Sequence, residues 1–169
     1  MLTFKVNKGE FYGAMRKDRL VIGETYHIYN KSIAEYIICN NEEEFLRMLS
    51  VICYYRREKP EVSFSRFLRD NDAEKDHSKN SYVLQDKKTL VEMISYCLMP
   101  THFHLILKQL VDNGISIFMS NIENSYARYF NLKHKRKGPL WEGGFKSVLI
   151  KTDEQLLHLI RYIHLNPVV

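Results

Sequence analysis

Two stretches of this chain carry side chains of the types and spacing that chemistry needs. The first is His102-Phe103-His104, inside the run Met99-Pro100-Thr101-His102-Phe103-His104-Leu105-Ile106-Leu107. Side chains two apart on a β-strand leave the same face. His102 and His104 are therefore expected to point together, with Phe103, Leu105 and Leu107 on the other side. Two parallel imidazoles make half of a metal site, or one end of a polar active-site floor. Two histidines on the wet face of an ordinary strand have the same spacing. The second stretch holds His158, Tyr162 and Asn166, spaced by four and so forming one stripe of a helix. A tyrosine phenol, with an ordinary pKa of about 10, is a weak nucleophile. It needs a polarised electrophile or a basic neighbour. A divalent cation held by His102, His104 and an amide oxygen would polarise a phosphodiester in that way. A half-buried ring followed by a helix C-cap would also give this Tyr–Asn spacing.

The elements that must position these groups follow from local pattern. Thr25-Tyr26-His27-Ile28-Tyr29-Asn30-Lys31 is rich in β-formers and predicts a first strand. Asn40 or Asn41 caps a helix that opens on Glu42, Glu43 and Glu44, where the helix dipole favours anions. Phe64, Phe67 and Leu68 suggest a short second helix, and the polar residues 69–80 predict a solvated loop within one domain. Leu90 to Met99 is apolar at most positions and predicts a strand buried on both faces, turning at Pro100-Thr101 into the histidine strand, His102 to Lys108. Gly114 precedes a long helix carrying Ile115, Phe118, Met119, Ile122, Tyr126, Tyr129 and Phe130. Phe145 to Ile150 predicts a fourth strand. Thr152 with Gln155 gives a capping box before the last helix, which runs to Pro167. This order predicts an α+β fold of ferredoxin-like or RRM-like type: an antiparallel sheet of about four strands with helices packed mainly on one face.

The chain has 169 residues, 45% apolar and 27% charged, which suits a single domain with a real core. Lys and Arg outnumber Asp and Glu by 25 to 20, and the pI near 9.0 fits an anionic partner such as nucleic acid. The basic residues expected to meet phosphate are Lys31, Arg128, Lys133, Lys135, Arg136, Lys137 and Lys146. Cys39, Cys53 and Cys97 are scattered and form no Cys-x-x-Cys pair, which fits a reducing cytoplasm. No signal peptide opens the chain, and no apolar run approaches the roughly 20 residues that span a bilayer.

Taken together the chain resembles the single-tyrosine HUH transposases, most closely the REP-associated tyrosine transposases. Four blocks carry the resemblance, in the family's order: Tyr26 to Lys31; Tyr96-Cys97-Leu98-Met99-Pro100-Thr101-His102-Phe103-His104-Leu105; Tyr126 to Asn131 with Gly138 to Lys146; and Arg161-Tyr162-Ile163-His164-Leu165-Asn166-Pro167-Val168. The resemblance implies cleavage and rejoining of single-stranded DNA with stem-loop ends. It implies Tyr162 as nucleophile, forming a 5′-phosphotyrosyl link and a free 3′-OH. It implies His102 and His104 as ligands of Mg or Mn, and Asn166 as a third ligand. Relatives act either as homodimers that exchange the tyrosine helix or as monomers. They often carry a basic residue where this chain has Gly144, and they commonly continue past the position of Val169, so a shortened copy is expected here.

Three other readings fit the same residues. Tyr126 and Tyr129 compete with Tyr162 as nucleophile, although their spacing with Phe118, Ile122 and Phe130 favours core or a base-stacking platform. A non-catalytic RRM-like module would hold single-stranded nucleic acid on first-strand aromatics, Tyr26 and Tyr29. A metal phosphodiesterase with water as nucleophile is a third.

Overall fold

The structure is a computed structural model that describes residues 19–57, 60–70 and 89–165. Within them the order is β1 (Thr25–Lys31), α1 (Glu42–Tyr55), α2 (Phe64–Asp70), β2 (Val91–Leu98), β3 (His102–Gln109), α3 (Gly114–Lys133), β4 (Lys146–Leu149) and α4 (Asp153–Leu165). The four strands form one sheet in the order β2-β3-β1-β4, and every neighbouring pair is antiparallel. Placing β3 between β1 and β2 is the split arrangement of the ferredoxin-like fold. The expected α+β class is the observed one.

Alternation decides which face each strand buries. Tyr26, Ile28 and Asn30 of β1 and Phe103, Leu105 and Leu107 of β3 turn to one side. There they meet Met48, Val51 and Ile52 of α1 and Ile115, Phe118, Met119, Ile122, Tyr126 and Phe130 of α3 in the main core. Gly114 starts α3 so close to the Leu90 carbonyl that any Cβ would overlap it. Among the described residues, α4 is the helix that packs on the other face. Its Ile163 is buried with Cys97 and Ile106, flanked by Leu156, Leu159 and Ile160, while Leu157, Tyr162 and Leu165 stay exposed.

The helix starts behave as their sequences imply. Asn41 caps α1 by accepting the Glu44 amide at 3.0 Å. Thr152 Oγ1 accepts the Gln155 amide at 3.2 Å, and Gln155 Oε1 accepts the amide of Lys151 at 2.9 Å. The reciprocal half of the capping box thus reaches one residue further back than expected.

Strand β2 departs from expectation. It is an edge strand with Glu92, Ile94 and Tyr96 exposed and a bulge between Met93 and Ser95, not a strand buried on both faces. Its apolar composition was no guide because strand order, which a single strand cannot encode, leaves it at the edge of the sheet formed by the described residues. Of the expected polar loop, Arg69 and Asp70 close α2, and residues 71–80 lie outside the described residues.

A buried carboxylate ties α1 to α3. Glu44 is fully buried; its Oε2 accepts the Asn40 amide and side chain at 2.8 Å each. Its Oε1 accepts His134 Nε2 at 2.6 Å and lies 3.3 Å from Lys133 Nζ. Burial alone would raise the Glu44 pKa, but the donors from Asn40, His134 and Lys133 outweigh it and hold the carboxyl at about 2. A carboxylate depressed below its ordinary 4.5 stabilises the fold above that pH and loses this contribution as pH falls toward 2. Glu44→Gln is therefore expected to cost about 2–3 kcal/mol at neutral pH, with the gap to wild type closing between about pH 5 and pH 2. Thermal denaturation across that range checks it; a gap that ignores pH would assign the effect to packing instead.

Candidate active site

The β1–β3 register builds the floor of the site. Tyr29 lies opposite His104 and Lys31 opposite His102, while His27 is opposite Ile106. Directly paired residues share a face of the sheet. His102, His104, His27, Tyr29 and Lys31 thus occupy one face, and the β4 partner of Tyr29, Lys146, joins them. It is the face that α4 covers in part.

Four rings gather around His104. The centroid distances from it are 5.1 Å to His27, 5.2 Å to His102, 5.9 Å to Tyr29 and 5.8 Å to Tyr162. Tyr162 comes from α4 and stands edge-on to His104 at 83°. Its side is half exposed to solvent, at 50%. The sheet's imidazoles and the helix's phenol thus meet within one chain.

Both expected ligand histidines have Nδ1 engaged by the protein. His102 Nδ1 is 3.0 Å from Thr101 Oγ1, and His104 Nδ1 is 3.0 Å from His27 Nε2. This leaves Nε2 of each ring for a ligand role. Burial, aided by the charges His27 and His102 would carry, pushes His104 down to about 4; burial alone does the same to His27. Burial and the nearby Lys31 also lower His102. These downward shifts favour the neutral ring, the state in which an imidazole binds a cation. Among the described residues no group of three or more His, Cys, Asp or Glu side chains is arranged to hold a metal ion. A cation on His102 and His104 would thus need an amide, water or phosphate oxygen to complete its shell. Asn166, the expected third ligand, lies outside the described residues.

The competing tyrosines are elsewhere. Tyr126 is fully buried in the main core, donating to the Ile38 carbonyl, and burial raises its phenol far above the usual range. Tyr129 bonds Glu43 and Lys133 on the α1–α3 side. Tyr26 is likewise buried on the core face and donates to the Arg19 carbonyl, so it offers no ring to a base. Trp141 closes the core, edge-on to Phe103, with Nε1 donating to the Glu123 carbonyl.

The basic residues divide by layer. Lys31 and Lys146 are on the histidine face, with Lys31 paired to Glu142 at 2.8 Å. Arg128 and Lys133 line an open groove of about 1120 Å³ between α2 and α3, and Lys133 is held by Glu43 at 2.9 Å. The Arg136 guanidinium is bonded to Asn131 Oδ1 and the Pro139 carbonyl and lies over Tyr36. Lys135 and Lys137 follow α3 and are both exposed. The sequence pattern singled out Tyr29 only as a base-stacking aromatic and did not single out His27. Their alternation on β1 was a visible signal, but their meeting with His104 depends on register.

A family model described as "Transposase IS200 like" matches residues 65–166. Among solved structures, a REP-associated tyrosine transposase bound to a REP hairpin superposes with a TM-score of 0.55 at 17% identity, over 92% of this chain and 73% of that one. A protein of Deinococcus radiodurans assigned as a transposase is 14% identical, with a TM-score of 0.45 over 89% of this chain and 96% of that one. The first likeness is one of fold, and the second is too loose to add to it. No curated protein matches the chain. No helix among the described residues is long and apolar enough to cross a membrane.

Proposed function

This chain belongs to the IS200-like transposase family, and from that premise we propose that it cuts and rejoins single-stranded DNA through Tyr162. The observation that carries the reading is the phenol of Tyr162 standing 5.8 Å, ring to ring, from His104 beside His102. In the proposed step Tyr162 Oη attacks the scissile phosphorus as the bond from phosphorus to the 3′-oxygen breaks. The products are a 5′-phosphotyrosine and a 3′-OH, the proton lost by the phenol balancing the one gained by the 3′-oxygen. Attack by that 3′-OH, or by another, reverses the step and joins strands.

His102 and His104 would hold Mg or Mn through Nε2, with Asn166 as the candidate third ligand. The ion, when bound, would polarise the phosphate and offset charge on its oxygens. Two neutral imidazole donors suit Mn better than Mg, since Mg prefers an all-oxygen shell. Lys31 and Lys146, on the same face, are placed to neutralise the strand beside the scissile bond. Arg128, Lys133, Lys135, Arg136 and Lys137 belong to the α3 side and would meet DNA away from the chemistry. A stem-loop substrate is supported by the REP hairpin held by the structural neighbour. Since phenol and imidazoles meet within one chain, no exchange of α4 between subunits is required.

The full chain, incubated with a labelled single-stranded hairpin and Mn²⁺ or Mg²⁺, is expected to give a covalent adduct that survives a denaturing gel and disappears on chelation. Cleavage without an adduct would make water the nucleophile. Binding without cleavage at every cation concentration would leave a sheet that only holds nucleic acid.

A further inference from the structure

His27 has no part in the strand transfer above, yet its Nε2 lies 3.0 Å from Nδ1 of His104. The β1–β3 register sets this contact, because His27 is the diagonal neighbour of His104 across the pair. The two rings are stacked at 21° with centroids 5.1 Å apart. A hydrogen bond between two ring nitrogens needs a proton on one and a lone pair on the other. Two arrangements satisfy the contact. Either His104 donates from Nδ1 and His27 accepts, or His27 donates from Nε2 and His104 accepts.

The choice has chemical consequences. In the first arrangement His104 Nε2 is a bare lone pair, ready to bind a cation. In the second, Nε2 carries the hydrogen and cannot. His102 provides a parallel: its Nδ1 faces the Thr101 hydroxyl at 3.0 Å, and a hydroxyl can accept as well as donate. The histidine pair can then present two equivalent Nε2 lone pairs. Nor is His27 a third ligand of the same ion, since its contact is with the nitrogen of His104 that a ligand role leaves over.

We propose that His27 is a positioning residue: it accepts the Nδ1 proton of His104 and so locks that ring in the tautomer whose Nε2 is free for a divalent cation. This inference rests on the strand-transfer reading for the purpose of the cation, but the proton's position does not. A partner on the far ring nitrogen fixes the tautomer and orientation of many metal-bound histidines, and losing it typically weakens metal affinity about 10- to 100-fold.

The tautomer is read directly by ¹⁵N NMR of the metal-free, full-length protein, and cation affinity by Mn²⁺ titration followed by EPR. Wild type is expected to show His104 protonated at Nδ1. His27→Gln keeps an acceptor oxygen near the position of Nε2, so it should hold that tautomer and bind Mn²⁺ within about threefold of wild type. His27→Phe keeps a ring but offers no acceptor. It should release His104 to the Nε2–H form and weaken Mn²⁺ binding by about 10- to 100-fold. A wild-type His104 protonated at Nε2 overturns the proposal without any variant being needed. So does a His27→Phe protein that binds Mn²⁺ as wild type does, or a Gln variant as weak as the Phe one. If instead the tautomer and Mn²⁺ results hold while wild type forms no DNA adduct, the strand-transfer reading falls and the role of His27 stands.

Discussion

Tyr162→Phe is expected to abolish the covalent DNA adduct and to slow strand cleavage by roughly 10⁴-fold or more, the scale seen when a nucleophile is removed from a preorganised site. The substitution deletes one hydroxyl from a half-exposed side chain, so stability should change by no more than about 0.5 kcal/mol. Hairpin affinity should be nearly unchanged, because phosphate neutralisation by the basic residues does not depend on this phenol. Tyr29 is the informative control, not Tyr126 or Tyr129. Its ring is 5.9 Å from His104, almost as close as that of Tyr162, and on the same side of the sheet. If the adduct survives Tyr162→Phe and is lost in Tyr29→Phe, the nucleophile is the strand's phenol, not the helix's. Denaturing gels of the two variants and of the double variant decide between them.

His102→Ala and His104→Ala should each lower cation-dependent cleavage by about 10³-fold, since several kcal/mol of charge stabilisation at the phosphate would go with the ion. The double variant should be little worse than either single one, because two ligands of one ion act as a unit and their losses do not add. Strictly additive losses, measured by single-turnover cleavage with saturating hairpin DNA, would show instead that the rings contribute separately, as polar groups on an active-site floor. His104→Ala carries a further small cost. It leaves His27 Nε2 without its 3.0 Å partner in a partly buried setting, worth about 1 kcal/mol of stability. Among the described residues the His102 ring bonds just its neighbour Thr101, through Nδ1, so its removal should be milder for the fold and equally severe for cleavage.

Much of this molecule was legible in the residues because the information was local. The β1 limits were readable from Thr25 to Lys31, the α1 cap from Asn41 and the start of α4 from Thr152. The shared face of His102 and His104 follows from the two-residue period of any strand, and the exposed stripe of His158 and Tyr162 from the helical period. Dihedral preferences, caps and alternation act within a few residues, so they survive without knowledge of the partner strand. What the chain could not announce alone was every feature that depends on which strand lies beside which. The β1–β3 register brought His27 and Tyr29 to His104, and the strand order left β2 at an edge with Tyr96 exposed. Packing of Ile163 against Cys97 and Ile106 put α4 on the histidine face, while the same sheet separated Arg128 and Lys133 from it. Register and packing are settled over the whole core at once, and a one-residue slip of β1 would have turned His27 and Tyr29 to the other face.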